Sequence, residues 1–494
     1  MQQKVSIKMR FFFCLWLLLF LVGCQSQPNP RPNVLWIYVE DMNDWMGAYG
    51  DHTVPTPNID KLADQGVRFD KAMMPAPVCS AVRSAIIAGD MQTSIGAHHH
   101  RSGRAGYEPV HLAHSSVPEQ FRQHGYETFN IGKDDYNFIY DRRDFYSLMP
   151  GPDPGHHAGF DGAEFDWATR LGQSGKPFFG QIQLRGGKLK IKKPPVVVDR
   201  SSVTLPPYYN DQPLTRDAWA KHYENIHVTD LQVGDILKQL QDNGLLENTA
   251  VFFFSDHGMG FLRHKQFLYD GGLQVPLIVN WPAGNDKIRT LGQVREEIVS
   301  GLDIAGASMG LAGIPVPEHM TTRDLFADDY RPREWVISAR DRCDWTFDRI
   351  RSVRTNRYKY IRNYFPERPY MQSQFRDRWK MTKEYRQAFN QGKFNTIQSL
   401  FMAQAKPAEE LYDLQNDPHE INNLAAFPAH QVQLAQLQQV LNQWEQESDD
   451  KGQYAETDKS LAEVLRYFGD NCQSPECQRY RDKHQLSGNL ASPQ

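Results

Sequence analysis

The chain has 494 residues with a formal net charge of −4; 40% of it is hydrophobic and 23% charged. That length suits a large domain with a smaller companion better than one small core. The near-balanced charge supplies no global attraction for nucleic acid, so none is expected as a partner.

Lys4, Lys8 and Arg10 precede the apolar run Phe11 to Val22, which ends in Leu21-Val22-Gly23-Cys24. Basic, apolar and small-residue parts in that order read as a secretory signal over residues 1–23, the run being short for a membrane span. Its end resembles a bacterial lipobox, which implies lipid on Cys24 and membrane attachment. Residues 24–32 then form a polar, Pro-bearing tether, and the expectation is an exported bacterial lipoprotein of the periplasm, outer membrane or cell surface. Gln25 after the cysteine favours the outer membrane.

From Asn33 strand and helix signals alternate. Val34 to Val39 and Thr249 to Phe254 are continuous apolar runs suited to buried parallel strands, and Asn58 to Gly66 reads as a helix. Asp217 to Asn243 carries Ile226, Val233, Ile236, Leu237 and Leu240 at helical spacing, with Gly244 as a stop. The pattern predicts an α/β domain over residues 33–345, with a sheet covered on both faces and function at the carboxyl ends of its strands. Beyond Trp345, residues 346–494 read as a smaller C-terminal α+β domain. It contains Arg-rich and aromatic alternation over Ile350 to Tyr364, a polar helical stretch from Lys380 to Ala405 and a Gln/Leu-rich helix from about Pro428 to Glu447.

Cys79 follows Pro75 and Pro77 and starts a helical stretch, Ser80 to Ala88. It therefore sits near a helix N-terminus, where free N–H groups attract anions. A small buried residue is the competing reading of such a cysteine. Glu40 and Asp41 end one apolar strand, and Asp256 and His257 end another. Two acidic pairs at strand ends converge on a hard cation such as calcium, although single Asp residues more often cap helices or serve turns. Basic clusters at His98-His99-His100-Arg101 with Arg104, and at Arg185, Lys188, Lys190, Lys192 and Lys193, are ordinarily solvated surface. Near a site they would suit a polyanionic substrate.

Cys79-Ser80-Ala81-Val82-Arg83 resembles the Cys-x-(Pro/Ala)-x-Arg signature of the type I sulfatases, and further blocks agree. Asn33 to Gly50 is similar to the family's opening strand and acidic pair, with Glu40 in the place usually held by Asp. Thr56-Pro57-Asn58-Ile59-Asp60, Gly66-Val67-Arg68-Phe69, Ser255-Asp256-His257-Gly258, Lys265 with Asp270-Gly271-Gly272, and Glu410 to Leu414 with Asp417-Pro418 follow in family order. The resemblance implies an alkaline-phosphatase-like mixed sheet with helices on both faces. It also implies a formylglycine made from Cys79 by a maturation enzyme, and calcium held by Glu40, Asp41, Asp256 and His257. Arg83 would orient the aldehyde hydrate, Lys133 and Lys265 would neutralise sulfate oxygens, and Asp256 would accept a proton. His257, a poor calcium ligand, has hydrogen bonding to the sulfate or the hydrate as its alternative role.

Two departures stand out. Lys133-Asp134-Asp135-Tyr136-Asn137-Phe138 replaces a family Lys-Trp-His with carboxylates, and Lys188 of Arg185-Gly186-Gly187-Lys188 falls where a family histidine would lie. The usual leaving-group acid is thus missing, and Lys188 or one of His98, His99 and His100 is expected to supply the proton. Three consecutive histidines cannot all face one pocket, so some of His98, His99 and His100 are expected near the sugar, with Trp345, Arg340 and Arg342 as further cleft candidates. The function expected is hydrolysis of sulfate esters on a sulfated carbohydrate from marine algae, carrageenan first and ulvan second. A phosphoester or phosphonate hydrolase and a non-catalytic glycan-binding lipoprotein are the alternatives. Of the six cysteines, Cys472 and Cys477 are close enough to suggest a local disulfide, which leaves Cys343 unpaired.

Overall fold

The computed structural model describes residues 31–104, 106–149, 166–284, 288 and 291–486. The expected signal, Cys24 and all of the tether but Arg31 and Pro32 lie outside these residues. Strands β1 (Asn33–Val39), β2 (Val67–Met73), β3 (Glu127–Ile131), β4 (Phe178–Leu184), β5 (Thr249–Ser255), β6 (Gln274–Asn280) and β7 (Gln293–Ser300) form one sheet in the order β3-β4-β1-β5-β6-β2-β7. Neighbours from β3 to β5 run parallel, β6 is antiparallel to both β5 and β2, and β2 and β7 are again parallel.

The unbroken hydrophobicity of β1 follows from its place in the middle of this sheet. Leu35, Ile37 and Val39 pack into the core on one face, and Val34, Trp36 and Tyr38 into a separate core on the other. The first core is roofed by the helix Pro213–Asp242, through Trp219, Ile226, Val233, Ile236 and Leu240. This helix begins four residues before the expected start because Pro213 occupies its first turn, where a missing N–H costs nothing. The helices Cys79–Ala88 and Asp303–Leu311 cover the opposite face.

The second sheet, in the order β11-β10-β9-β8, is antiparallel throughout: β8 (Val336–Arg340), β9 (Ile350–Arg354), β10 (Tyr358–Asn363) and β11 (Glu409–Asp413). Since β8 belongs to it, the smaller domain starts ahead of the expected 345/346 boundary. Leu434, Leu437 and Leu441 of the helix Gln431–Glu447 pack on Val353, Tyr360 and Leu411 of this sheet. The stretch expected as one helical segment, 380–405, is two helices, Lys380–Asn390 and Thr396–Leu400. They fold back onto the large domain, where Tyr385 Oη donates to the Tyr208 carbonyl at 3.3 Å and Gln398 Nε2 to that of Tyr209 at 3.0 Å. Cys472 and Cys477 form a disulfide, and Cys343 is buried and free.

Candidate active site

Register brings the site together. Val39 of β1 pairs with Leu184 of β4 on one side and Ser255 of β5 on the other, so three adjacent parallel strands end level. The residues that follow them, Glu40 and Asp41, the Arg185–Lys188 turn, and Asp256 and His257, meet in one place, as expected for the carboxyl end of such a sheet. Lys133 arrives two residues beyond β3, the next strand out. The Asp41 N–H donates to Asp256 Oδ1 at 2.9 Å and the His257 N–H to the same oxygen at 3.0 Å, which joins the two acidic pairs directly.

Gly186 and Gly187 explain the turn that carries Lys188. Gly186 has φ +47°, and a Cβ there would lie 2.4 Å from the Glu40 carbonyl; at Gly187 one would lie 2.1 Å from that of Asp41. Only glycine lets this turn pass flat against the acidic pair. Lys188 alone of its basic cluster reaches the site, whereas Arg185, Lys190, Lys192 and Lys193 are exposed.

Cys79 is the first residue of its helix and is 1% exposed. Its Sγ lies 3.2 Å from His257 Nε2, 3.1 Å from Lys265 Nζ and 3.4 Å from Lys188 Nζ. Burial opposes thiolate formation, but Lys133, Lys188, Lys265 and His257 outweigh it and hold the thiol well below its ordinary range. Burial likewise pushes Glu40 and Asp41 up, and lysines overturn it in both: Lys133 and Lys188 for Glu40, Lys188 and Lys265 for Asp41. The Asp256 carboxyl goes the other way, raised by burial beyond what His257 and Arg83 recover.

Arg83 runs beneath this cluster, donating to Gln183 Oε1 at 2.6 Å and Asp256 Oδ2 at 3.3 Å, with its guanidinium 4.3 Å from the Tyr38 ring. Gln183 and Tyr38 were not singled out in the sequence; buried glutamines at 181 and 183 inside an otherwise apolar strand were the available signal. Lys133 contacts Glu40 and lies 2.9 Å from Asp135, while Lys188 lies 3.2 Å from both Glu40 and Asp41.

Ligand-type atoms of Asp41, Asp256, His257 and Cys79 lie within 4.8 Å of one another, all buried. His257 Nδ1 bonds the Gly258 carbonyl at 2.8 Å, which places a proton on Nδ1 and leaves Nε2 turned into the group. Buried carboxylate oxygens beside an imidazole nitrogen fit a divalent cation. Glu40 falls outside this set of atoms, its oxygens being taken by Lys133 and Lys188, so it neighbours the ion position. Asp41 and Asp135 both hold positive φ, 51° and 57°, a conformation costly for non-glycine residues and concentrated here at the site.

The histidine run separates. His98 and His99 lie with their ring centroids 4.1 Å apart, His99 facing Glu456 at 3.4 Å, and burial lowers the pKa of both. The expectation that some of the three lie near the sugar narrows to His100: consecutive side chains in this turn diverge, and His98 and His99 do not join the group around Cys79. A ring nitrogen of His100 lies within 4.8 Å of Cys79 Sγ and an Asp135 oxygen, and its Nδ1 bonds Asp344 at 3.1 Å. Arg340 and Arg342 are likewise not cleft residues; both are 1% exposed, facing Asp348 at 3.6 Å and Glu456 at 2.5 Å.

The C-terminal segment adds a wall that sequence reasoning missed. Arg376 donates to the carbonyls of Gly260 at 2.6 Å and Lys265 at 2.7 Å, clamping the loop that carries Lys265. Gly260 fills the gap between Asp41 and Trp379: a Cβ there would be 3.2 Å from Asp41 Oδ2 and 3.4 Å from the Trp379 ring.

The geometry matches what comparison with known proteins finds. Residues 32–314 match the Sulfatase family, and residues 257–407 match the family described as N-sulphoglucosamine sulphohydrolase, C-terminal. The chain is 33% identical to an ulvan-active sulfatase of Formosa agariphila over 84% of its length and 74% of that protein's. It is 26% identical to the N-sulphoglucosamine sulphohydrolase of Homo sapiens, over 94% and 97% respectively. A solved 2-O GAG sulfatase shares its fold with a TM-score of 0.63 at 21% identity, covering 86% of this chain and 94% of that one. With the family match spanning more than half the chain and the cysteine-arginine helix packed against the acidic strand ends, this protein belongs to the sulfatase family of sulfuric ester hydrolases.

Proposed function

We propose that the protein releases sulfate from a marine algal polysaccharide or its oligosaccharides, ulvan ahead of carrageenan, with side chain 79 working as formylglycine. The Gly-Gly-Lys and Lys-Asp-Asp-Tyr-Asn-Phe variants resemble both carrageenan- and ulvan-directed sulfatases; the 33% likeness to an ulvan-active sulfatase over most of the chain puts ulvan first. The observation that carries the mechanism is Cys79, buried at a helix start among Lys188, Lys265 and His257 and beside Asp41 and Asp256.

The hydrated aldehyde made from Cys79 supplies an oxygen nucleophile and a second hydroxyl through which sulfate leaves without an external water. Asp41, Asp256 and His257, with Glu40 adjacent, would hold a calcium ion, which would supply positive charge to offset that of the sulfate. The protein's own groups do the rest. Arg83 stays cationic because Tyr38, Asp256 and Glu40 outweigh its burial, and it fixes the orientation of Asp256. Asp256, with an oxygen within 4.8 Å of Cys79 Sγ, accepts the proton lost by the attacking hydroxyl. Lys133, Lys188 and Lys265 offset the charge gathering on the sulfate oxygens in a water-poor pocket. On the strength of its N-terminal sequence, the enzyme is exported, meets a maturation enzyme that modifies Cys79, and is tethered to the membrane by lipid on Cys24.

The test is sulfate release from defined ulvan and carrageenan oligosaccharides, run beside 4-nitrophenyl sulfate and phosphate, with peptide mass spectrometry of residue 79. Release from ulvan with an aldehyde at 79 is the expected result. Full activity with unmodified cysteine would end the formylglycine reading. Faster turnover of the phosphate would support the phosphoester alternative.

A further inference from the structure

Sulfate transfer from a sugar leaves an alkoxide that needs a proton, and the family histidine expected near position 188 is a lysine here. Lys188 is a poor proton donor because its Nζ is shared by Glu40 and Asp41 at 3.2 Å each. Lys265 is held in the same way, 3.0 and 3.1 Å from the two oxygens of Asp41. The pKa of Lys188 is accordingly held well above the ordinary lysine value despite its burial, and Lys265 is pinned to Asp41 by both contacts.

His100 is placed differently. Its backbone N–H donates to the Arg342 carbonyl at 2.9 Å, and Asn137 Nδ2 holds the preceding turn through the carbonyls of Ala97 at 2.9 Å and His99 at 2.7 Å. The next residue is fixed to the nucleophile's helix, since the Arg101 N–H donates to Ser80 Oγ at 2.8 Å. The ring is 4% exposed by residue, with Nδ1 against Asp344 while Nε2 is buried with no hydrogen-bond partner. Asp344 itself has φ +51°, a strained conformation that aims its carboxylate at the ring. One nitrogen anchored by a carboxylate, the other left without a partner, and a ring nitrogen within 4.8 Å of Cys79 Sγ make up the arrangement of an oriented acid–base histidine.

We propose that His100 is the catalytic acid that protonates the departing sugar oxygen, and that Asp344 is the positioning residue that orients it and keeps it charged. As the S–O bond to side chain 79 forms, the S–O bond to the sugar breaks. Its electron pair takes the Nε2 proton and the sugar leaves as a neutral alcohol; the imidazole, now neutral, is reprotonated from water before the next turnover. Groups facing the ring set its charge. Asp344, Cys343 (Sγ 3.8 Å from Nδ1), Asp135 and Cys79 favour the cation, while Arg101 and Arg342 oppose it. Burial would discharge the imidazole, but Asp344 and Cys343 prevail and hold its pKa at about 10. The donor form therefore persists through neutral pH.

This inference rests on the sulfatase reading, and the experiment separates the two. Wild type, His100→Gln and Asp344→Asn are assayed on a sulfated oligosaccharide and on 4-nitrophenyl sulfate, whose phenolate leaves without help. In both variants the loss in kcat on the sugar ester should exceed the loss on the aryl ester by at least about 10²-fold, the lower end of the usual range for an acid catalyst. The alkaline limb of the sugar-ester profile should shift toward neutral pH in Asp344→Asn. Independently of activity, the 15N signal of His100 should stay imidazolium past about pH 8 in the wild type and titrate lower in Asp344→Asn. Equal losses on both substrates, no loss at all, or a wild-type His100 that is neutral at about pH 7 would each overturn the assignment. A wild type inactive on every sulfate ester would instead refute the sulfatase reading.

Discussion

Lys188 touches the nucleophile position from the end of the neighbouring strand, its Nζ 3.4 Å from Cys79 Sγ. Burial would lower its pKa, but Asp41, Cys79 and Glu40 raise it well above the ordinary lysine value, so it acts as a fixed charge. Lys188→Gln should lower kcat/KM about 10²- to 10³-fold on sugar and aryl sulfates alike, the cost of removing one electrostatic donor. Steady-state assays on both substrates check this. A loss confined to sugar esters would make Lys188 the acid and count against His100.

Cys79→Ala should reduce sulfate release by on the order of 10⁴-fold or more, because the nucleophile is gone. Stability should fall by no more than about 2 kcal/mol, since the side chain is small. Sulfate release and a thermal melt measure the two effects, and residual turnover near the wild-type rate would rule out side chain 79 as the nucleophile.

Chelation should lower both activity and Tm, with calcium restoring them. Asp41 and Asp256 are buried beside each other, and an ion that binds only the folded chain at about 100 times its Kd adds about 2.7 kcal/mol. A melt unchanged by chelator, with unchanged activity, would contradict the metal site.

The His100–Asp344 pair should make stability depend on pH. The folded-state pKa of His100, about 10, lies above the unfolded value of about 6.5. Its contribution is therefore complete below about pH 6.5 and disappears as pH rises through about 10, amounting to several kcal/mol at about 1.4 kcal/mol per unit. Denaturant unfolding of wild type and Asp344→Asn should show a large gap at about pH 6 that closes by about pH 10.5. A gap that widens with pH would reverse the sign and exclude this pairing.

Trp379→Ala should raise KM for oligosaccharides about tenfold or more, equivalent to about 1.4 kcal/mol, with a smaller change in kcat. The half-buried ring lies across Gly260 from Asp41, which puts it next to the proposed site. Trp379→Phe should restore part of the affinity, and a KM unchanged in both variants would place the ring outside the substrate path.

Much of this was legible because strand ends are local events in sequence. Apolar runs closed by Glu40-Asp41 and Asp256-His257 announced both the central strands and the acidic pairs, and Cys79-x-x-x-Arg83 lay on one helix turn. Residues whose role depends on distant partners were not legible. Nothing around Asp344 signals that it meets a histidine 244 positions earlier, and the divergence of His98, His99 and His100 is set by Asn137 and Ser80. The start of the smaller sheet was not legible for a related reason: β8 looks like any short apolar strand, and only its pairing with β9 assigns it to that sheet.

The depth of Cys79 bears on when it could be modified. Its residue is 1% exposed, Gln266 in the following loop donates its N–H to the Pro77 carbonyl at 2.8 Å, and Lys265 is clamped by Arg376 from more than a hundred residues downstream. Under the proposed formylglycine assignment, a modifying enzyme would have to reach this side chain while the polypeptide is still open, before those segments close over it. A mutation that sped that closure would then compete with modification and leave a well-folded but inert product.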